Sequence, residues 1–490
     1  MKNINSTIVI SELIRTVLKN KISRNLLQSQ LDKYIKKKVL DNDNKFPEFV
    51  KLYKYYAFRA MYNSYFKNYD KGIISSKVTD KILSTLIDSA LITDELNKSV
   101  RQNFKDKYAQ NPPNLLTISP TKKCNLNCIG CYAASKNTDK EILTWDLLDK
   151  VIGDAYHNMG MRFFVISGGE PLLYKSEGKT ILDLVAKWND CFFLMYTNGT
   201  LINESIATRI AELGNITPAI SIEGYQENTD KRRGNGCYQK IVKAKDNLIN
   251  KGVPFGLSVT ATRENIDLLM NYDFYDYYFD EFGATYMWVF HYMPIGRDFT
   301  SDLMITPEQR INLFHIQNKI LIEKKLFVAD FWNGAVISHG CISSGRPGGY
   351  FYINWDGNIM PCVFVPYYLD NVKTLYESGK TLSDALFSPL FVKGREWQNK
   401  YMHSEEKLGN LLMPCFYRDH YKDLVNIVKE TQSKPENKAA EEAILSENYY
   451  QKMLMFDDQL EKISSPLWNE LYDENENIDK KTVNLKLLKN

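Results

Sequence analysis

The sequence predicts an α/β protein whose core is a parallel sheet. Short apolar runs alternate with helical patterns six times in a row, beginning at residue 115. This alternation is typical of parallel sheets, because neighbouring parallel strands are usually joined by a helix. Six units favour a partial barrel, since a closed one has eight, although the periodicity also fits an open doubly wound sheet.

The elements follow in a regular order. The predicted strands are 115–118, 163–166, 192–196, 219–222, 255–259 and 286–290. The predicted helices lie near 143–158, 179–188, 203–213, 238–251, 265–282 and 306–324. The last begins at Thr306-Pro307, an N-cap followed by proline at the first helical position. In either architecture, catalytic groups are expected at the C-terminal ends of the strands.

The segment before this core is basic and helical in pattern. Residues 1–123 contain 23 Lys and Arg against 11 Asp and Glu, whereas the whole chain of 490 residues has a net charge of only +3. Apolar residues recur at helical spacing at Ile10, Leu13, Ile14, Val17 and Leu18, and again at Leu83, Leu86, Ile87 and Leu91. We interpret residues 1–110 as a solvated cap packed on the next domain. A peripheral contact with an anionic membrane, or with nucleic acid, is the alternative.

The pattern changes after the core, which we place at 111–325. Residues 350–355 and 358–365 predict a hairpin closed by Asp356-Gly357. We assign 326–430 to an extension that contains this hairpin. Residues 431–490 are interpreted as a helical tail, with 433–438 as its linker and a helix near 439–463.

Composition excludes several classes of protein. Apolar residues make up 44% of the chain, enough for a sizeable core, so a disordered protein is excluded. No apolar run reaches the ~18 residues of a membrane helix, and the first residues do not form a secretory signal, so we expect a cytoplasmic protein. Eight cysteines are too few for a disulfide scaffold of this length, and clustered cysteines instead suggest metal binding.

Three cysteines follow the first predicted strand in a CxxxCxxC pattern: Cys124, Cys128 and Cys131. Thiolates suit iron–sulfur clusters and zinc. A structural zinc site needs a fourth ligand. No other Cys or His lies within 20 residues of this loop. Three ligands would leave one iron of a four-iron cluster open to a further ligand.

Polar and glycine-rich segments follow the next strands. They are Ser167-Gly168-Gly169-Glu170-Pro171, Thr197-Asn198-Gly199-Thr200, and Ser221-Ile222-Glu223-Gly224 with Asp230 to Gly236. Paired glycines allow close approach of a ligand to the backbone, and a carboxylate can accept from an ammonium group. Hydroxyl, amide and guanidinium groups can bind ribose and carboxylate. Each segment also fits an ordinary turn.

Together these motifs resemble the radical S-adenosylmethionine (SAM) enzymes. The resemblance implies a partial (β/α)₆ TIM-like barrel and a [4Fe–4S] cluster held by Cys124, Cys128 and Cys131. It implies that SAM binds at the open iron and is cleaved reductively to a 5′-deoxyadenosyl radical, which abstracts hydrogen from a substrate. The implied SAM contacts are Gly168, Gly169, Glu170, Asn198, Ser221 and one of Arg232 and Arg233, of which we select Arg233. A low-potential reductant such as flavodoxin or ferredoxin, and an anaerobic setting, are also implied.

A second set of cysteines, Cys341, Cys362 and Cys415, lies in the C-terminal half. Its layout is similar to the SPASM or twitch extension that carries an auxiliary iron–sulfur cluster. The full seven-cysteine SPASM set is absent, so one auxiliary cluster at most is implied. Asp419, His420, His339 or Cys237 could supply its fourth ligand, or one iron could be open to substrate. Cys191 and Cys237 are otherwise interpreted as packing residues.

The sequence leaves the substrate open between a peptide or protein and a lipid. Two other functions compete with the radical SAM enzyme. One is a non-enzymatic iron–sulfur or zinc protein that carries electrons or acts as a scaffold. The other is an enzyme that modifies nucleic acid, for which tyrosines such as those at 53–56 would stack on bases. Nucleic acid is the partner we do not expect, because such tyrosines are more commonly core residues.

Overall fold

The structure is a computed structural model that describes residues 21–40, 46–83, 85, 95–402 and 408–473. Its centre is a sheet of ten strands. In chain order they are β1 Leu115–Ile118, β2 Phe163–Ile166, β3 Phe192–Thr197, β4 Ile216–Ile222, β5 Gly256–Ala261, β6 Tyr286–His291, β7 Val328–Asp330, β8 Tyr350–Ile353, β9 Asn358–Met360 and β10 Asp370–Asn371. The spatial order is β10-β9-β8-β1-β2-β3-β4-β5-β6-β7.

Eight of these strands run parallel, from β8 through β1 to β7. The predicted α/β class is confirmed, and all six predicted strands are present within three residues of their predicted bounds. The parallel sheet has two more strands than predicted and continues past residue 325. Because β7 has only three residues, it shows no periodicity. The predicted hairpin of β8 and β9 is present, but pairing of β8 with β1 is a long-range contact that local patterns do not reveal.

Helices follow the strands as predicted. They are α5 Trp145–Met159, α6 Ile181–Lys187, α7 Glu204–Leu213, α8 Gln226–Arg233, α9 Cys237–Asn250, α10 Ile266–Leu269, α11 Tyr272–Asp276 and α12 Pro307–Lys319. The start of α12 is confirmed: the Thr306 side chain accepts from the Gln309 amide, and the Gln309 side chain accepts from that of Thr306. The predicted helix at 265–282 is divided into α10, α11 and a wider turn at Tyr277–Glu281.

The N-terminal helices are α1 Lys21–Leu40, α2 Glu48–Asp70, α3 Ser76–Leu83 and α4 Glu95–Tyr108. One side of α2 is buried against the barrel. Its Phe49 and Tyr53 belong to a hydrophobic cluster with Phe314 of α12 and Trp468 near the C-terminal end. The helical pattern predicted at Ile10–Leu18, and the residues Leu86, Ile87 and Leu91, lie outside the described residues.

The C-terminal helices are α13 Val372–Glu377, α14 Leu382–Ala385, α15 Pro389–Met402, α16 Tyr421–Thr431, α17 Lys438–Leu445 and α18 Glu447–Asp473. The predicted linker contains Lys434–Pro435, which pairs with Tyr367–Tyr368. Met453 and Leu460 of α18 are fully buried in a cluster with Tyr292, which follows β6. The predicted tail is therefore packed against the core. Within the described part of the chain, no helix has the length and apolar character needed to cross a membrane.

Candidate functional site

The candidate site is a cavity of about 480 Å³ that extends through the barrel interior to the C-terminal ends of the strands. Both predicted cysteine sets line it, although more than 200 residues separate their first members. The cysteines concerned are Cys124, Cys128, Cys131, Cys341, Cys362 and Cys415. None of them forms a disulfide. The structure thus brings all six predicted metal ligands to one space.

The first cysteine loop places its thiols in a buried environment. Burial raises the pKa of the Cys124 thiol to about 12, and it raises that of Cys128 although Arg233 opposes the change. A buried thiol that resists ionisation is a poor free nucleophile. Three thiols on one loop instead suit a soft-metal cluster, whose positive charge would stabilise the thiolates. The donor set therefore fits an iron–sulfur cluster.

A single metal ion fits less well. Nowhere among the described residues are three His, Cys, Asp or Glu side chains grouped as ligands of one ion. A mononuclear zinc ion needs its four ligands around one centre at about 2.0–2.3 Å. A cubane is larger, and its cysteines bind separate irons. This arrangement favours the cluster over zinc.

Two arginines hold the backbone of the cysteine loop. Arg297 donates from Nη1 to the carbonyl oxygen of Cys128 over 2.6 Å, and its amide donates to that of Cys131 over 2.9 Å. Arg232 Nε donates to the carbonyl oxygen of Ile129 over 3.1 Å. In return, the backbone amide of Ile129 donates to the carbonyl oxygen of Arg232 over 3.0 Å. Sequence reasoning missed this role, because it considered Arg232 only as a candidate ligand contact.

The paired glycines after β2 line the cavity and also pack against the cysteine loop. The Gly169 amide donates to the Thr121 carbonyl over 2.9 Å. A Cβ atom on Gly169 would lie 2.3 Å from the carbonyl oxygens of Lys122 and Lys123, closer than any carbon can approach. Only glycine fits at this position. The close approach made possible by these glycines is therefore between the segment after β2 and the backbone of the cysteine loop. Gly168 and Gly169 also line the cavity.

Glu170 does not line the cavity. Its Oε1 accepts from the Thr197 hydroxyl over 2.7 Å and from the Leu172 amide over 3.1 Å, and its Oε2 accepts from the Asn198 amide over 2.8 Å. These bonds join the ends of β2 and β3. The direct contact between this carboxylate and an ammonium group stays a prediction; in this structure both of its oxygens accept hydrogen bonds from protein donors.

Asn198 and Ser221 line the cavity, and their contact with SAM stays a prediction. The side-chain nitrogen of Asn198, Nδ2, donates to Asn125 Oδ1 over 2.9 Å and lies 3.8 Å from Cys124 Sγ. The Asn198 side chain therefore touches the cysteine loop. The Ser221 hydroxyl lies 3.2 Å from that of Ser258 on the neighbouring strand. Both side chains are thus placed at strand ends beside the thiols.

Arg233 lines the cavity next to Arg232 and shares a counter-ion with it. Glu223 Oε1 accepts from Arg233 Nε over 2.9 Å and lies 2.6 Å from Arg232 Nη1. Burial disfavours the Arg233 charge, but Glu223 and Cys128 outweigh burial and raise its pKa. One carboxylate facing two guanidinium groups leaves an excess positive charge at the site, which suits an anionic ligand group.

The second cysteine set comes from three separate segments of the extension. Cys341 follows the turn Asn333–Ser338, Cys362 follows β9, and Cys415 precedes α16. The Tyr350 hydroxyl lies 2.8 Å from Cys362 Sγ. Burial raises the pKa of Cys362 to about 12, with a further contribution from Cys341. The pKa of Cys415 is also raised, by burial and then by Asp419 and Cys341. All three thiols line the same cavity.

None of the four residues predicted as a fourth ligand lines the cavity. Asp419 is fully buried in an ion pair with Arg310. His420 Nε2 lies 3.0 Å from the Met413 carbonyl oxygen. These two are adjacent to Cys415 but already have partners.

The other two predicted fourth ligands lie elsewhere. The ring of His339 stacks on Phe46 at 3.5 Å, against the N-terminal segment. Cys237 begins α9 beside Arg233, near the first cysteine set. Neither reaches the second set.

Sequence reasoning also missed a buried pair at the ends of β6 and β7. His291 Nε2 lies 2.8 Å from Asp330 Oδ2, and both residues line the cavity. Burial lowers the pKa of His291, although the nearby Asp330 carboxylate acts in the opposite direction. Burial would raise the pKa of Asp330, but His291 and the other hydrogen-bond donors around it lower that pKa below its ordinary value. The pair is therefore a neutral His291 imidazole hydrogen-bonded to an ionised Asp330 carboxylate. The available signal was a histidine directly after a predicted strand.

Tyr132, directly after the third cysteine, joins the loop to β2. Its hydroxyl lies 2.7 Å from Ser167 Oγ, and the Gly168 amide donates to it over 3.3 Å. The family that the sequence resembles often has an aromatic residue just before that cysteine, whereas this chain has Gly130 there and the aromatic residue after it.

Comparison with known proteins agrees with the resemblance found in the sequence. The sequence model of the radical SAM superfamily matches residues 118–272. The chain is 27% identical over 161 residues to the Fe-coproporphyrin III synthase of Methanosarcina barkeri, covering 33% of this chain and 40% of that protein. It is 26% identical over 290 residues to the AdoMet-dependent heme synthase of the same organism, covering 54% and 80%. It is 31% identical over 206 residues to the mycofactocin maturase MftC of Mycolicibacterium smegmatis, covering 41% and 51%.

Solved structures show a similar fold. SuiB of Streptococcus suis bound to S-adenosylmethionine aligns with a TM-score of 0.51 at 17% identity, covering 68% of this chain and 81% of that one. SuiB bound to its precursor peptide SuiA aligns with a TM-score of 0.50 at 18% identity, covering 65% and 74%. The matched segment, residues 118–272, carries the CxxxCxxC loop and the glycine pair that line the cavity, and it is this segment of the chain that matches the radical SAM superfamily.

Proposed function

We propose that this chain is a radical SAM enzyme that abstracts a hydrogen atom from an organic substrate. The observation that carries the proposal is the convergence of three thiols, the glycine pair, Asn198 and Ser221 on one cavity. Cys124, Cys128 and Cys131 would hold a [4Fe–4S] cluster. With SAM and one electron, that cluster supplies a 5′-deoxyadenosyl radical.

The residues around the thiols would bind and orient SAM. Gly168 and Gly169 offer a backbone without side chains, and Asn198 and Ser221 offer an amide and a hydroxyl for polar groups. Glu170 acts as a positioning residue that fixes the ends of β2 and β3. Arg233, with Arg232 and Glu223, would receive the carboxylate, because two guanidinium groups share only one counter-ion.

The remaining lining excludes water from the reacting atoms. Aromatic side chains from β6, the segment after β7 and the segment after β9 form much of this wall: Phe290, Phe331, Trp332 and Phe364. They touch one another, with ring centroids 5.1–6.0 Å apart for the contacting pairs. An apolar wall suits a radical reaction, since exclusion of water from the site prevents side reactions of a reactive intermediate.

Cys341, Cys362 and Cys415 would hold one auxiliary iron–sulfur cluster at the other side of the same cavity. The neighbouring Tyr350 hydroxyl, 2.8 Å from Cys362 Sγ, would donate to that thiolate. A low-potential reductant such as flavodoxin or ferredoxin would deliver the electrons.

Two substrate classes remain in the proposal. A peptide or protein is supported by the matches to a mycofactocin maturase and to SuiB solved with its precursor peptide. A lipid is supported by the apolar lining and the basic N-terminal helices.

The central experiment measures 5′-deoxyadenosine. The protein is reconstituted anaerobically with iron and sulfide, then incubated with SAM and dithionite. The full chain should form the product, and Cys128→Ala should abolish it. Cys191→Ala is the matched control, because Cys191 is buried in the core and does not line the cavity. Absence of product from the intact, cluster-loaded chain would leave the electron carrier or scaffold as the better interpretation.

Iron content tests the auxiliary cluster separately. Two four-iron clusters predict about eight irons per chain. Replacing Cys341, Cys362 and Cys415 together with alanine should leave about four, and replacing the first set should also leave about four. A wild-type value near four that the second triple variant does not change would remove the auxiliary cluster from the proposal.

A further inference from the structure

The N-terminal helix α2 forms part of the cavity wall. Tyr53, Ala57, Phe58 and Met61 line the cavity together with residues of the barrel. Phe58 and Met61 are also 36% and 44% exposed to solvent. A side chain that both lines a cavity and faces water lies at its mouth. The cavity therefore opens beside α2, and its rim there is apolar.

Two lysines stand on the same face of α2, one and two turns before this rim. Lys54 precedes Phe58 by four residues, and Lys51 precedes Lys54 by three, so their side chains lie in one row. Neither lysine makes a hydrogen bond or an ion pair with any described residue. Around them the charge is positive, since α1 holds six basic and one acidic residue and α2 four and two. An anion approaching the mouth would meet positive charge that has no counter-ion within the described part of the chain.

The inner wall beyond the mouth is mainly apolar. Trp288, Phe327 and Ile337 continue it from α2 toward the aromatic residues near the cysteines. A peptide backbone threaded along this wall would leave amide groups without partners, which costs about 1–3 kcal/mol per group. A hydrocarbon chain has no such groups. The lining favours a hydrocarbon chain over a peptide.

We infer that the mouth beside α2 admits an amphiphile with an anionic head and a single hydrocarbon tail. The head binds Lys51 and Lys54, and the tail passes Phe58 and Met61 into the cavity. This inference rests on the proposed function. It narrows the substrate class of the proposed enzyme to a lipid-like molecule. It assigns to the N-terminal segment the selection of substrate rather than a contact with a membrane surface.

The test uses cis-parinaric acid, a polyene fatty acid whose fluorescence rises in apolar surroundings, with the full reconstituted chain. The acid should bind at one site per chain. Dodecanoate should displace it, dodecan-1-ol should do so more weakly, and hexaglutamate should not. Met61→Gln should weaken binding about tenfold, through loss of apolar contact at the rim.

Charge is tested in the same assay. The double variant Lys51→Gln, Lys54→Gln should bind dodecanoate about fivefold more weakly than the wild type, because the carboxylate binds the lysines. Its affinity for dodecan-1-ol should not change, because the alcohol has no carboxylate. The matched controls lie on α18, where Met455 is 59% exposed and Lys452 precedes it by three residues. Met455→Gln and Lys452→Gln should leave both affinities unchanged.

Three outcomes would overturn the inference: Met61→Gln changing affinity no more than Met455→Gln, equal displacement by the acid and the alcohol in the wild type, or displacement by hexaglutamate but not by dodecanoate. The last would assign the mouth to an acidic peptide. Probe binding does not require cleavage of SAM. A chain that binds the probe but forms no 5′-deoxyadenosine therefore refutes the proposed function alone, and the reverse result refutes this inference alone.

Discussion

Arg297 extends from the segment after β6 to the cysteine loop, where its guanidinium donates to the Cys128 carbonyl over 2.6 Å. Together with Arg232 it binds backbone oxygens between the second and third cysteines. Hydrogen bonds from a charged donor are stronger than neutral ones. The loop that carries the predicted cluster is thus shaped by side chains from the far end of the barrel, and these contacts set its geometry before any metal binds.

Replacing Arg297 should loosen the loop and release iron faster. Arg297→Gln removes a charge-assisted bond worth about 1.5–3 kcal/mol. We expect iron to be lost to a chelator about tenfold faster than from the wild type. Arg209→Gln is the matched control, because Arg209 is 45% exposed and pairs only with Glu212 on the same helix. Equal release rates for the two variants would contradict a role of Arg297 in holding the loop.

Gly296 shows how closely the two segments approach. It has φ of +73°, and a Cβ there would lie 2.2 Å from the Tyr132 carbonyl oxygen. Gly178 has nearly the same φ, +75°, but no heavy atom lies within 4 Å of the position that a Cβ would take there. These two positions therefore separate backbone strain from steric conflict.

Gly178→Ala should lower the free energy of unfolding by about 1 kcal/mol, the cost of a left-handed alanine. Gly296→Ala should lower it by about 3 kcal/mol, because overpacking adds to the same strain. Thermal unfolding of both metal-free variants measures the difference. Equal melting temperatures would show that the Tyr132 backbone moves aside without cost.

At the scale of elements, the terminal helices pack on the barrel and on each other. α2 covers part of the cavity wall, and α18 packs beside it. Phe49 of α2 meets Trp468 of α18 edge to face, with ring centroids 5.5 Å apart. Phe314 of α12 joins the same cluster. The segments predicted as a cap and a tail thus share one core with the barrel.

Trp468→Ala should therefore destabilise the whole fold rather than detach a tail. Trp468 is 2% exposed, and removal of a buried tryptophan costs about 3–5 kcal/mol. Met455→Ala, on the exposed face of the same helix, should cost little. Thermal unfolding gives the comparison. A normal melting temperature for Trp468→Ala would mean that α18 is dispensable for the core.

At the scale of the whole molecule, buried titratable groups make stability depend on pH. Asp457 of α18 is 8% exposed, and its Oδ2 accepts from the Tyr421 amide over 2.7 Å. Burial raises its pKa to about 9. Between the ordinary value of about 3.9 and this raised value, the unfolded chain has released a proton that the folded protein keeps. Rising pH therefore favours unfolding in this range.

Asp457→Asn should remove this dependence, because asparagine imitates the protonated acid. The melting temperature of the variant relative to the wild type should rise between about pH 6 and pH 8.5, a range within the interval between the two pKa values. Asp458→Asn, at the exposed neighbouring position, should give a curve parallel to the wild type. A parallel curve for Asp457→Asn as well would mean that Asp457 is already ionised in the folded protein.

Local pattern predicted much of this protein. Strand and helix positions follow from the spacing of apolar residues, and the start of α12 from its capping residues, because both depend on neighbours within a few positions. The CxxxCxxC loop identified the first three thiols for the same reason. These features are local in the chain, and the sequence by itself determined them.

Tertiary structure decided the rest. The pairing of β8 with β1, the meeting of Cys341, Cys362 and Cys415, the turning of Glu170 away from the cavity and the place of α2 in its wall all join segments far apart in the chain. Such contacts depend on how whole elements pack to bury apolar surface, which short-range periodicity does not encode. The chemistry at the thiols was therefore predictable from the sequence, whereas the shape and mouth of the cavity required the folded molecule.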